Sequence, residues 1–145
     1  MKSLAVLQAE AACRELVLQA AQAVDSSDYA GFVALFFPDG VLVRPDGSKL
    51  QGREAIVQAY QARDPNRLTQ HLVSNQQVEV NQATGTAVAR CKVLLWSGQR
   101  SAVETPKGRP ADAMAQVGEM VDEMALTPEG WRIRTRQARF IFYST

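Results

Sequence analysis

The chain has 145 residues, 46% hydrophobic and 21% charged, with 16 basic residues against 15 acidic ones for a formal charge of +1. These values fit one domain with its own core and exclude a disordered chain. The charge balance offers no electrostatic reason for a nucleic acid or an anionic membrane as partner, and no apolar run approaches the ~20 residues that cross a bilayer.

Ser3 is placed to cap a helix whose apolar residues Leu4, Leu7, Ala11, Leu16, Ala20 and Val24 recur near the helical period. Glu10, Arg14 and Glu15 interrupt the apolar start, so it does not read as a signal peptide, and the cytoplasm is the expected compartment. The helix should stop near Asp25, where Ser26-Ser27-Asp28 forms a polar break and offers a new cap. A short second helix then carries Phe32, Leu35 and Phe36 on one side, and Pro38-Asp39-Gly40 ends it. Val41–Arg44 reads as a short strand and Pro45-Asp46-Gly47 as a turn. Gly52-Arg53-Glu54 opens a third helix running to about Arg63, before Asp64-Pro65-Asn66 breaks it; it lacks the pattern of a phosphate loop.

The remainder reads as strands. Thr69–Val80 is rich in β-branched and polar residues, and Asn81–Gly85 supplies a turn. Thr86–Ser97 alternates, with Ala87, Ala89, Cys91, Val93 and Leu95 on one face and Arg90 and Lys92 on the other. Residues 98–112 hold two glycines and two prolines and form a long connection of the kind that often edges a binding site. Ala113–Leu126 and Trp131–Tyr143 are two further strands around the turn Thr127-Pro128-Glu129-Gly130. Arg132, Arg134, Arg136 and Arg139 follow a near-alternate spacing that reads as the solvated face of the last strand. Helices gathered early and antiparallel strands gathered late predict one α+β domain over residues 1–145, with helices on one face of a curved sheet and a pocket in the concavity.

His71 is the only histidine, and imidazole is the side chain that ordinarily titrates near neutrality. Asp25 ends a helix among Ala20, Ala21, Ala23 and Val24, an apolar setting for a carboxylate. A carboxylate held against an imidazole fixes its tautomer and stabilises the imidazolium, which lets the ring take a proton. Asp122 interrupts the alternating run Met120, Asp122, Met124, Leu126, so it either faces a pocket or pairs with an arginine such as Arg136. Asn75 repeats the phase of His71 and Val73 and so could offer its amide to a substrate oxygen. Tyr29 and Trp96 are further candidate donors to a substrate, while Met114, Met120, Met124, Trp96, Phe140 and Phe142 read as core and pocket wall. One histidine and no cysteine cluster do not supply the ligands of a zinc site, and no cofactor motif is present. Cys13 and Cys91 read as buried free thiols.

The segments Ala23-Val24-Asp25-Ser26-Ser27-Asp28-Tyr29, Phe36-Phe37-Pro38-Asp39-Gly40, Thr69-Gln70-His71 with Asn75, and Asp122 followed by Gly130-Trp131-Arg132-Ile133 resemble, in that order, the SnoaL-like branch of the nuclear transport factor 2-like superfamily. The resemblance covers nearly the whole chain and implies a cone-shaped fold of three N-terminal helices on a curved antiparallel sheet. Within the superfamily the pattern is similar to scytalone dehydratase and hexachlorocyclohexane dehydrochlorinase, where an aspartate ending the first helix pairs with a strand histidine that removes a substrate proton. By position those residues are Asp25 and His71. The second histidine of the dehydratase has no counterpart near Leu95 or Trp96, and a tyrosine preceding its aspartate is replaced by Val24. The expectation is a cofactor-independent lyase or isomerase for an apolar small molecule, cyclic ones included. The alternative is a ligand-binding or assembly module, such as a small subunit of a ring-hydroxylating dioxygenase. Relatives are commonly dimers, which with the apolar ending Phe140-Ile141-Phe142-Tyr143 suggests a homodimer.

Overall fold

The computed structural model describes residues 1–145. Helix α1 spans Leu4–Asp25, with the Ser3 hydroxyl accepting the Val6 amide at 3.2 Å as its N-cap. Helix α2, Tyr29–Ala34, is capped by Asp28, whose carboxylate accepts the Gly31 amide at 2.9 Å. A Cβ at Gly31 would lie 2.3 Å from that carboxylate, so the cap requires glycine there. Strand β1 is Phe36–Val43, β2 is Lys49–Gln51, helix α3 is Gly52–Gln61, and then come β3 (Arg67–Asn81), β4 (Thr86–Gln99), β5 (Gln116–Thr127) and β6 (Gly130–Tyr143).

The six strands form one sheet in the order β2-β1-β6-β5-β4-β3. All neighbours are antiparallel except β1 and β6, which run parallel. The predicted α+β order therefore holds, with the helices packed on one face. That face buries Cys13, Leu16, Val17, Ala20 and Val24 of α1 against Ala87, Ala89, Cys91 and Val93 of β4, with Phe32, Phe36, Ile56, Met124 and Ile133 completing the core. Burying each large side chain contributes roughly 1.5–3 kcal/mol. Phe32 meets Phe36 edge-on at 5.3 Å and Tyr60 at 4.9 Å, which ties α2 to β1 and α3. Arg53 fastens α3 to β1 by donating from Nε to the Phe36 carbonyl at 2.9 Å.

Several boundaries differ from the sequence reading. Phe36 opens β1 instead of closing α2, and Pro38-Asp39-Gly40 belongs to a bulge within β1: the four residues between Phe36 and Val41 oppose the single residue between Ile133 and Thr135. The three-residue β2 was not anticipated, and α3 ends at Gln61 instead of Arg63. β5 begins at Gln116, because Ala113–Ala115 remain outside the ladder. The 98–112 connection folds outward, with Gly98 bridged to Ala111 and the Asp112 amide donating to the Ser97 carbonyl at 2.8 Å.

Candidate active site

Between the helices and the concave face of the sheet lies a cavity of about 620 Å³, walled by residues of α1, α3 and all the long strands. Val24, Val93, Leu95, Met120 and Phe140 give it apolar surface, and His71, Tyr60 and Arg136 supply polar groups. From the 98–112 connection no residue reaches it; Met114, just beyond, does.

His71 enters the wall because β3 alternates: Thr69, His71 and Val73 point inward while Gln70, Leu72 and Ser74 face out. The last turn of α1 packs against this strand and brings Asp25 to the imidazole across 46 positions of sequence. His71 Nδ1 lies 2.6 Å from Asp25 Oδ1, and the His71 backbone amide donates to Oδ2 at 2.8 Å. The Thr69 hydroxyl donates to Oδ1 at 2.9 Å. A carboxylate at a helix C-terminus faces the negative end of the helix dipole, so capping does not account for Asp25. Three donors from β3 do. Burial pushes the Asp25 carboxyl up, but the His71 ring and amide and the Thr69 hydroxyl outweigh it and hold the group below its ordinary value of 3.8. Asp25 is therefore an anion at neutral pH, an acceptor only, and the proton of a neutral His71 ring belongs on Nδ1. Its Nε2 lone pair is left free.

The chemistry available is proton removal by an imidazole whose charged form is stabilised by a fixed carboxylate. Tyr60 adds an O–H donor. Burial pushes its phenol up against the opposing pull of Arg63, Arg136 and Arg44, so it stays protonated. Neither cysteine competes as a nucleophile, because burial raises both Cys13 and Cys91 to about 11. No group of three or more His, Cys, Asp or Glu side chains comes together as a metal site would require.

The other sequence candidates fall elsewhere. Asn75 is exposed, with φ of 52° at a bulge where β3 shifts register against β4 between Ser74 and Gln77. The bulge reverses the inward phase, so Val78 is buried and Asn75 is turned away from His71. Trp96, 42% exposed, stands on the outer face beside the inward Leu95. Phe142 is 69% exposed, not pocket wall. Tyr29 lines a small crevice next to Asp25 and Thr69 instead of the main cavity, and packs on the cavity residue Tyr60 with ring centroids 5.5 Å apart. Asp122 is buried behind the wall and fully engaged by Arg136, which donates from Nε and Nη2 at 2.8 and 2.7 Å. Arg136 lines the cavity in its place. It leaves the solvated arginine face because Arg134 is an extra residue in β6, where Ile133 pairs with Met124 and Thr135 with Glu123.

Thr69, Tyr60, Arg63, Arg67 and Arg136 are site residues that the sequence reading missed in that role. Thr69 alone left a signal, since it shares the inward phase of His71 two positions away.

A family model described as the SnoaL-like domain matches residues 5–137. Among solved structures, a hexachlorocyclohexane dehydrochlorinase superposes with a TM-score of 0.80 over 99% of this chain and 92% of its own, at 14% identity. A nuclear transport factor 2-like protein from Novosphingobium aromaticivorans gives 0.76 over 95% and 85%, at 21% identity. A proposed scytalone dehydratase from the same organism gives 0.74 over 92% and 84%, at 20% identity. These likenesses bear out the nuclear transport factor 2-like fold. No curated protein matches the sequence.

Proposed function

The chain belongs to the SnoaL-like family, and from that premise we propose that it is a cofactor-independent lyase or isomerase whose base is His71, oriented and charge-stabilised by Asp25. The observation that carries this reading is the 2.6 Å contact between Asp25 Oδ1 and His71 Nδ1 at the wall of a partly apolar cavity. Nε2 takes a proton from a substrate carbon, and the C–H electron pair either expels a leaving group from the next carbon or moves along the substrate to be reprotonated elsewhere. A positioned base of this kind is worth roughly 10²–10⁴ in rate. The Tyr60 hydroxyl is the donor we assign to the developing oxyanion or leaving group, since it lines the same cavity. The dehydrochlorinase and the proposed scytalone dehydratase among the structural neighbours carry names that denote eliminations, which supports the lyase branch.

The test is turnover of a panel of small cyclic β-hydroxy ketones and chlorinated rings by wild type and His71→Gln. A loss of about 10²-fold or more with an unchanged melting curve is expected. Full turnover by the variant removes the histidine from the mechanism.

A homodimer is part of the same proposal. Register aligns Leu72, Leu94, Val117 and Phe142 in one row across the outer face of β3, β4, β5 and β6. Three of them are substantially exposed, Leu72 at 54%, Leu94 at 38% and Phe142 at 69%. An apolar row of this kind suits a self-complementary partner.

A further inference from the structure

Arg63 lies in the short link between α3 and β3 and Arg67 opens β3, and both line the main cavity together with His71. Both also line the crevice that contains Asp25 and Thr69, which fixes them at the dyad end of the cavity. Neither forms an ion pair within the chain, whereas the two β6 arginines in this cavity, Arg136 and Arg139, are paired with Asp122 and Glu119, and Arg44 at the other wall donates to the Ser48 hydroxyl at 2.9 Å. The carboxylates nearby are otherwise engaged or distant. Asp25 is held by His71 and Thr69, Asp64 accepts the Asn66 amide at 2.9 Å, and Asp112 acts on Arg67 only at longer range. Arg63 lies over the Tyr60 ring at 5.0 Å, which presets its direction.

Two neighbouring guanidinium groups that form no ion pair, one half-buried and one exposed at the rim of a partly apolar cavity, leave donors free for an anion that enters it. Burial and the Arg63 charge both draw Arg67 below its ordinary range, the response of a cation placed beside another cation. We propose that Arg63 and Arg67 form the anion-binding end of the substrate site, and that the substrate is an apolar body carrying one carboxylate. A carboxylate fits better than a phosphate. Helix α1 finishes at Asp25 and α3 at Gln61 on carbonyl ends, and the nearby N-terminus of α2 already holds the Asp28 carboxylate on its Gly31 amide, so this end of the cavity disfavours a dianion. The planar guanidinium fork matches a carboxylate directly. Charge cancellation there also lowers the resistance of a neighbouring carbon to losing its proton to His71.

This inference rests on the reading of the cavity as a substrate site, and deepens it from apolar to amphipathic substrates. The test compares 2-naphthoate with the neutral 2-naphthamide by calorimetry. Wild type should bind the carboxylate about tenfold or more tightly, with the preference shrinking as salt is raised. Arg63→Gln and Arg67→Gln should each bring the two probes close to parity, and His71→Gln should keep the preference. Equal binding by wild type, no binding of either probe, or a preference that survives in the double arginine variant would overturn the proposal. The catalytic reading fails separately: an intact preference in a His71→Gln protein that still turns over keeps the anion site and discards the base.

Discussion

Asp25 holds His71 at two points, taking the ring Nδ1 at 2.6 Å on one oxygen and the backbone amide at 2.8 Å on the other. The amide contact fixes strand to helix and the ring contact fixes the imidazole on that strand. One carboxylate thus joins the fold to its candidate chemistry.

The first consequence concerns acid. The native Asp25 carboxyl lies below its ordinary value of 3.8, so its contribution to stability is complete above that pH and is lost as pH falls through the lower native value. Asp25→Asn removes that contribution. Urea midpoints of wild type and variant should therefore differ most near neutrality and converge as pH drops below about 4. A gap that widens on acidification would contradict the hydrogen-bond account.

Thr69 shares the Asp25 oxygen used by the ring. Thr69→Val keeps the shape and removes the donor, at about 1 kcal/mol in stability. Turnover should fall several-fold with KM unchanged, and Thr69→Ser should restore it. Steady-state kinetics on any accepted substrate checks this; a change confined to KM would make Thr69 a binding residue instead.

How much of this was legible in the sequence depended on phase. The β4 alternation from Ala87 to Leu95 is unbroken, and all five of its inward residues are buried. In β3 and β6 the same counting fails beyond the bulges at Asn75 and Arg134, each of which moves later residues to the opposite face. Unbroken alternation points Asn75 to the pocket and puts Arg136 on the solvated face, while the lone carboxylate Asp122 offers Arg136 as its partner, which is the placement found. A bulge leaves no reliable mark in composition. Arg63 and Arg67 were invisible for another reason: an unpaired cation is recognised by the partners it lacks, and those depend on tertiary placement. The meeting of Asp25 with His71 came from the family resemblance, since the spacing of two residues in sequence cannot bring them together.

The Arg136–Asp122 pair is bidentate and almost completely buried. Removing one partner leaves a buried charge, so Arg136→Met and Asp122→Asn should each cost about 3–5 kcal/mol. The double variant Arg136→Met with Asp122→Leu should recover much of that loss in chemical denaturation. Additive losses would show that the two groups do not act as a pair.

The outer row of β3 to β6 bears on association. Leu94 lies near its middle, between Leu72 and Val117 in register. Leu94→Arg should convert a dimer to a monomer in light scattering while leaving the helical and strand signal of circular dichroism intact. A dimer that persists in this variant places the contact elsewhere.

The measurement that tests the central claim most directly needs no substrate. Because His71 is the only histidine, a long-range nitrogen–proton NMR correlation of uniformly labelled protein shows a single imidazole. For the neutral ring it should show the proton on Nδ1, with Nε2 as the bare acceptor nitrogen, and Asp25→Asn should abolish that arrangement. A wild-type ring protonated on Nε2 would contradict the assignment of His71 as the base.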